Sequence, residues 1–466
     1  MRLKKFKKFL VYGAGASGVL IKQLIDKNRG EVIAFIDDNI KLSKRRLVGI
    51  DIVHSGRLKL DFIKSNSIEA IVVSNLDIHL KQSRFLAKFN IPIFSPNDVS
   101  QWEEGYVSNF DIKEIDPAFI LNRKVPMTLD KESKRKLENS TILVTGASGS
   151  IGSEIVRQLC TISGLYVILI DIDESGLFDL ANNLQNKDNV SYHVCDISNY
   201  TELERVFKQY PKIDSVFHAA AYKHVPIVEV DPFPAVRVNI KGTRNLCEIS
   251  DQFSVRSFTL VSTDKAVNPT NIMGATKRCA ELITTDFAFS SRTSFRCTRF
   301  GNVIGSRGSA LPTFISQIRD GGPVTLTHSD ITRYFMTIPE ATQLVIKASI
   351  IGDDGGIFIF DMGEPIKLVE IIEMLKSYYN ASDVQIQKIG LREGEKMFEE
   401  LNRESEVLLP TTEDQIFRLD VRRPGSVEIN KIVDLISEID SITKDELCNI
   451  LEEIIPEYSS SKITKK

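Results

Sequence analysis

The sequence predicts an α/β protein built from two doubly wound parallel-sheet domains, the second carrying a smaller substrate-binding lobe. Three observations lead there. Two segments open alike, "KFLVYGAGASGVLIKQLI" and "TILVTGASGSIGSEIVRQLC": each is an apolar β-rich run, a glycine turn and then a helical pattern. The runs after the second, "YVILIDID", "SVFHAAA", "SFTLVST" and "SFRCTRFGNV", are apolar without strict alternation, as expected of strands buried on both faces of a parallel sheet. The chain of 466 residues also exceeds one ordinary core, and at roughly 100 to 200 residues per domain it fills two or three.

The first domain is expected over residues 1–122, where "VIAFID", "AIVVSN" and "IPIFSP" alternate with helical patterns in a Rossmann-like, nucleotide-binding type of fold. It holds a glycine fingerprint (Gly13, Gly15, Gly18) and an acid at a strand end (Asp37). Nothing downstream in it supplies a catalytic constellation, so it reads as an accessory domain of structural or regulatory use, against the alternative of a second ligand site. Residues 123–140 are expected to be a linker, because the stretch Leu121 to Ser140, "LNRKVPMTLDKESKRKLENS", is charge-dense and lacks apolar periodicity. A catalytic domain follows over 141–420, its substrate lobe mainly after residue 301, where regular alternation gives way to loops and short helices. Residues 421–458 read as a C-terminal helical extension and 459–466 as a disordered tail.

Composition excludes several function classes. A net charge of -3 with 26% charged residues provides no global basic field for nucleic acid or an acidic membrane surface. Small molecules or other proteins are the expected partners. The six cysteines (Cys160, Cys195, Cys247, Cys279, Cys297, Cys448) form no C-x-x-C pair, which fits packing residues in a reducing compartment and no metal site. No apolar run approaches the roughly eighteen residues that cross a bilayer, and the opening "MRLKKFKKFLVYGAG" lacks the h-region and cleavage site of a signal peptide. A cytoplasmic location is expected. The basic cluster Arg2 to Lys8 reads as a solvated terminus, or else as the cytoplasmic flank of a membrane segment.

In the second domain Gly146, Gly149 and Gly152 give a G-x-x-G-x-x-G spacing between a strand and a helix. Gly146 permits the tight turn, Gly149 the approach of a pyrophosphate, and Gly152 close helix–strand packing, while the helix N-terminus offers N–H groups to the anion. Asp171 ends the next strand, where a carboxylate accepts hydrogen bonds from a ribose 2′-OH. No Arg or Lys stands in "DIDES" to pair a 2′-phosphate, so NAD is expected over NADP. Asp196, after the third strand, is placed to meet the adenine, and Ala219, Ala220 and Ala221 leave room for the dinucleotide. Ser148, Ile151, Ile197 and Asn239 complete the expected cofactor set.

The motifs "TGASGSIGSE", "HAAAYKHVPIVE", "VSTDKAVNPTNIMGATK", "RFGNVIGSRGSALP", "DITRYFMTIPEA" and "LREGEKMFEEL" run in order from about residue 141 to 402. With them the chain resembles the extended short-chain dehydrogenase/reductases of bacterial polysaccharide biosynthesis, specifically the nucleotide-sugar 4,6-dehydratases acting on UDP-N-acetylglucosamine. The larger members carry a domain like the first one after transmembrane helices, which this sequence does not contain. The resemblance implies an internal redox cycle: NAD takes the C4 hydride, the new ketone acidifies the C5 proton, hydroxide leaves C6, and the hydride returns to C6. It also implies a homo-oligomer, most simply a dimer.

Such a cycle needs a proton acceptor at the C4 hydroxyl, a base at C5 and an acid at C6. The expected assignment gives Thr263 a hydrogen bond to the C4 oxygen, Asp264 the protonation of the leaving C6 hydroxyl, and Lys265 the C5 proton, its pKa lowered by burial and by Lys277. The resemblance implies that Lys277 holds the nicotinamide ribose. Met273 stands where related enzymes have a tyrosine, and its thioether carries no proton, so it resembles the methionine variant of the larger dehydratases. The bland alternative is a strand-end turn with a gap-filling methionine. For substrate, the resemblance implies that Asn302 and Arg307 meet the nucleotide, that Arg333 and Arg392 clamp the diphosphate, and that Lys223 faces the sugar. His224 reads as structural.

C5 retention is expected on resemblance alone. The competing readings are a C5-inverting dehydratase, a C4 epimerase and a non-catalytic NAD-sensing protein. An epimerase has no use for an elimination pair, and a sensor has none for a diphosphate clamp.

Overall fold

The computed structural model describes residues 6–27, 29–43, 45–74, 85–89, 91–96, 112–114, 129–185, 187–351, 356–378, 381 and 383–458. The expected tail 459–466 and residues 123–128 of the expected linker lie outside them. The chain divides into two compact units, one of Met1–Lys124, Thr313–Thr325 and Val369–Gln387, the other of Val125–Pro312, Leu326–Leu368 and Lys388–Lys466. Two stretches of the expected substrate lobe therefore group with the N-terminal residues, a long-range pairing that periodicity along the chain does not register.

The first unit holds a seven-stranded sheet in the order Arg46–Leu47, Ile50–His54, Glu31–Asp37, Lys8–Tyr12, Ala70–Val73, Ile93–Pro96, Ile112–Glu114. Its central pairings are parallel and the outermost pair at each edge is antiparallel. Alternate residues enter different cores, Leu10 and Tyr12 on one face, Phe9 and Val11 on the other. The Ala14 N–H donates to Asp37 Oδ2 at 2.9 Å, so the glycine turn and the acid at the strand end meet.

The second unit holds a nine-stranded sheet: Val190–Val194, Tyr166–Asp171, Thr141–Thr145, Ser215–His218, Ser257–Val261, Ser294–Arg299, Gly356–Phe360, Ile416–Leu419, Leu408–Pro410. The first seven strands are parallel and the last two antiparallel. Ile142 and Val144 point into one apolar cluster and Leu143 into another, as do Val167 and Leu169 against Ile168 and Ile170. This double burial is why these strands read as continuous apolar runs. The chain's winding reverses between Thr141–Thr145 and Ser215–His218, which opens a crevice at their carboxyl ends, the place where such sheets bind ligands.

Two helices set the crevice. Ser150–Leu159 starts at Gly149, and Ile272–Ser290 starts at Asn271, whose side chain accepts the Gly274 N–H at 2.8 Å. Within the expected linker, Lys131–Leu137 is helical: Asp130 caps it by accepting the Ser133 N–H at 2.8 Å, and Leu129 and Leu137 are buried. Those two apolar side chains are too few to show as periodicity. The extension forms helices Ser426–Glu438 and Lys444–Ile454, which sink Ile432, Leu435, Leu447 and Leu451 into the main core.

Candidate active site

The loop after Thr141–Thr145 is shaped by sterics. Gly146 has φ +64°, and a Cβ there would stand 2.6 Å from the Ala220 nitrogen; a Cβ on Gly152 would fall 2.0 Å from the Gly146 carbonyl oxygen. Only glycine fits either position. No side chain caps the helix at Gly149, which leaves its first-turn amides to an anion. The Ser148 N–H and hydroxyl both donate to Asp171 Oδ2, at 2.9 and 2.7 Å, and the Asp173 N–H donates to Oδ1 at 3.0 Å. These bonds fix the carboxylate beside the loop with lone pairs left for a sugar hydroxyl.

A cleft of about 440 Å³ opens over this loop. Gly146, Gly149, Ile151, Gly152, Ala219 and Ala221 line it, together with Thr263, Lys265, Met273, Lys277, Lys223, Asn302 and Arg307. Ser148, Asp171, Asp196, Ile197, Ala220, Asn239 and Asp264 are not part of the lining. Asp196 accepts the Ser198 N–H at 2.8 Å, and Ile197 is buried where a Cβ on Gly242 would meet it at 2.8 Å. Asn239 sits in a π-helical turn, Val236–Gly242. Its Oδ1 accepts the Tyr222 N–H and its Nδ2 donates to the Tyr222 carbonyl and the Thr276 hydroxyl, each at 2.9 Å. It holds the cleft wall in place from behind.

The strand Ser257–Val261 delivers Thr263, Asp264 and Lys265 to the cleft floor. The Thr263 hydroxyl donates to Asp264 Oδ1 at 2.8 Å, and Lys265 Nζ donates to the same oxygen at 2.9 Å and to Asn302 Oδ1 at 3.2 Å. Asp264 is 1% exposed and its Oδ2 has no hydrogen-bond partner. The expected lowering of Lys265 is not what the geometry produces. Burial pushes its ammonium down, but the charges of Asp264 and Glu399 outweigh burial and hold it above its ordinary range. Burial prevails instead at Lys277, pushed down to about 8, whose Nζ donates to the Val261 carbonyl at 2.8 Å. Lys223 is pushed down by desolvation and then by the Lys265 charge.

A smaller cavity of about 180 Å³ is lined by Arg333, Arg392, Glu395, Lys396 and Glu399, and shares Lys265 and Asn302 with the larger one. Arg333 is 6% exposed and already committed: it donates to the carbonyls of Thr332 (2.7 Å), Lys396 (2.9 Å) and Met397 (3.3 Å) and faces Glu395 and Glu399 at 3.5 and 3.6 Å. A bidentate clamp by Arg333 would have to displace some of these contacts, because loop carbonyls already take both Nη1 hydrogens and one on Nη2. Arg392 is exposed on the wall. Arg307 lines the larger cleft and not the smaller cavity, its N–H donating to Ser150 Oγ at 3.0 Å beside the glycine loop.

Three features lay beyond sequence reasoning. Glu399 sits in the quoted "LREGEKMFEEL", but a glutamate in a charged loop reads as solvated, and its burial comes from tertiary packing. His224, expected to be structural, lines the cleft, packed where a Cβ on Gly308 would stand 2.4 Å from its ring. Behind the floor, the Ser262 hydroxyl donates to Glu281 Oε1 at 2.7 Å, and Arg299 binds both Glu281 oxygens at 3.0 and 2.7 Å. Among the described residues no helix is long and apolar enough to cross a membrane, and no group of His, Cys, Asp and Glu is arranged to hold a metal.

Comparison with known proteins places this geometry. Residues 142–421 match the family described as polysaccharide biosynthesis protein. The chain is 39% identical over 413 residues to the probable polysaccharide biosynthesis protein EpsC of Bacillus subtilis (strain 168), covering 85% of this chain and 69% of that one. It is 35% identical over 475 residues to the capsular polysaccharide biosynthesis protein CapD of Staphylococcus aureus, covering 98% and 76%. Among solved structures, Pen from Bacillus thuringiensis superposes with a TM-score of 0.57 at 35% identity, over 62% of this chain and 91% of that one. The two-faced parallel sheet, the glycine loop and these matches agree: the chain belongs to the polysaccharide biosynthesis protein family, within the extended short-chain dehydrogenase/reductases.

Proposed function

We propose that this protein is a cytoplasmic, homo-oligomeric nucleotide-sugar 4,6-dehydratase that converts UDP-N-acetylglucosamine, or a related UDP-HexNAc, to a 4-keto-6-deoxy sugar with retention at C5. The observation that carries the reading is the Asp264–Lys265 pair, an acid and a base 2.9 Å apart at the floor of the cleft. Simple epimerisation has no use for such a pair. The glycine cradle that a Cβ would fill, and Asp171 beside it, fit an NAD dinucleotide. NAD, when bound, supplies the redox chemistry at C4 and C6.

The chain's own residues then manage the protons. The C4 hydroxyl proton passes through Thr263 to Asp264, along the 2.8 Å bond that already joins them. Asp264 gives the same proton to the C6 hydroxyl, which leaves as water. Lys265, as the amine, takes the C5 proton and returns it. Its side chain is 24% exposed, so its resting ammonium proton can pass to solvent. Neutralising Asp264 removes the nearest counter-charge from Lys265 and loosens that proton at the step that needs a free amine. Arg392, Arg307 and Lys223 are the cations available to the UDP diphosphate.

The test is incubation with UDP-N-acetylglucosamine, without added reductant, and NMR of the product. A 4-keto-6-deoxy sugar with its C5 configuration retained supports the reading. An inverted C5, a C4 epimer or unchanged substrate points instead to the inverting dehydratase, the epimerase or the sensing protein. Light scattering that gives a monomer would remove the homo-oligomer.

A further inference from the structure

Resting on that reading, a difficulty in the elimination step points to one more residue. Asp264 donates a proton only as an uncharged acid; that state helps free the Lys265 amine, but it also removes the partner at 2.9 Å that strengthens the amine for the proton it must take. A second carboxylate answers this. Glu399 is 8% exposed and lines the smaller cavity, with Oε1 at 3.4 Å from Lys265 Nζ and 3.6 Å from Arg333 Nε. Its Oε2 has no hydrogen-bond partner, a costly arrangement for a buried oxygen unless it serves a charge. Three backbone carbonyls lock Arg333, and Arg333 in turn holds Glu399 against Lys265.

We propose that Glu399 is a positioning residue: its carboxylate is the counter-charge that keeps Lys265 able to take and hold the C5 proton while Asp264 is uncharged. In that step the C5–H bond breaks, the Lys265 amine becomes the ammonium, and Glu399 remains its ion partner until the proton returns to C5. The charged groups that act on Lys265 are Asp264 on its own turn, Glu399 and Arg333 across the smaller cavity, and Lys223 across the larger; Arg392, Glu393, Glu395 and Lys396 also line the smaller cavity, and Lys277 and Arg307 the larger. Of those that act on it, Glu399 is the carboxylate that keeps its charge through the step.

The experiment compares wild type, Glu399→Gln and Glu399→Asp. Removing a negative charge lets Lys265 release its proton at lower pH. The limb on which turnover rises with pH should therefore move down by about one unit in Glu399→Gln and part-way in Glu399→Asp, while maximal turnover falls about 10- to 100-fold because the amine is a weaker base. A purely structural role would lower turnover and leave the limb where it is, and that result overturns the proposal. If Glu399→Gln does not fold, an unmoved limb in Glu399→Asp overturns it equally. If the wild type dehydrates no UDP-HexNAc, the functional reading fails separately. Glu399 is then decided on the protein alone by NMR titration of [ε-13C]lysine, the Lys265 signal being assigned by its loss in Lys265→Arg. Earlier titration in Glu399→Gln sustains Glu399 as the counter-charge of Lys265, without the C5 step, and an unchanged one sinks it.

Discussion

Lys277 donates to the Val261 carbonyl across 2.8 Å, a bond that ties the helix carrying Met273 to the strand that delivers Thr263, Asp264 and Lys265. Lys277 is buried, and burial pushes its ammonium from 10.5 down to about 8. A base depressed in this way loses its proton as pH rises through about 8. If its ammonium helps hold the nicotinamide ribose, NAD retention should weaken over that rise, and Lys277→Gln should bind more weakly with the pH dependence gone. Fluorescence titration with NAD on either side of that pH checks both. The sign for stability is opposite: the cost of burying the charge is fully present below about 8 and is relieved toward 10.5.

Asp264→Asn and Lys265→Met should each lower turnover by about 10² to 10⁴, the range for a positioned acid or base, with UDP-sugar binding kept. Met273→Ala touches no proton. Its side chain is 2% exposed, so the variant should lose about 2 to 5 kcal/mol of stability while turnover of the folded fraction changes far less. Steady-state kinetics beside denaturant melts separate the two. Equal kinetic damage in Met273→Ala and Asp264→Asn would refute this division of labour.

What the sequence disclosed and what it hid divide along the same line. Strand runs, glycine turns and the spacing of Thr263, Asp264 and Lys265 are local, and each is in the structure where the pattern put it. The balance of forces on a charge is not local. Lys265 reads as a buried, depressed lysine until Glu399, 134 residues further along, is seen at 3.4 Å. Arg333 reads as a free clamp until the carbonyls of Lys396 and Met397 are found against it. Asn239 is expected among the cofactor contacts, and its bonds to Tyr222, which depend on tertiary structure, are not visible in the pattern.

The support behind the floor should fail in acid. Glu281 is fully buried, and its carboxyl is held down to about 2 by Arg299 and Arg278, against a burial effect in the other direction. A depressed carboxyl stabilises the fold at pH above its ordinary 4.5, and that stability is lost as pH falls toward about 2. Glu281→Gln leaves Arg299 buried without its closest partner and should cost about 3 to 5 kcal/mol near neutrality. The gap from wild type should narrow steadily in denaturant melts run from neutral pH into acid. A constant gap would show that the ion pair is not its source.

Gly152→Ala should abolish NAD retention, since its Cβ would meet backbone 2.0 Å away at Gly146. Gly149→Ala, with 3.1 Å to the same oxygen, should be milder. Acid-released nucleotide from each purified variant gives the comparison, and an unaffected Gly152→Ala would mean that the loop can yield.

The two arginines of the smaller cavity should separate in kind. Arg333 is 6% exposed and holds three carbonyls together, so Arg333→Ala leaves buried acceptors and the Glu399 carboxylate without their cation. Its expected defect is lower stability and lower turnover, since the loop that carries Glu399 loses its anchor. Arg392 is exposed on the wall and its backbone N–H, not its guanidinium, bonds Glu395 at 3.1 Å. Arg392→Ala should therefore leave the melting curve unchanged and weaken UDP binding about tenfold, roughly the 1.5 kcal/mol of one charge-assisted hydrogen bond to phosphate. Calorimetric titration with UDP, run beside thermal melts, reads both quantities on the same samples. If Arg333→Ala weakens UDP binding with the fold intact and Arg392→Ala does not, the phosphate site belongs to Arg333 after all, and its carbonyl contacts must be exchanged for the diphosphate on binding.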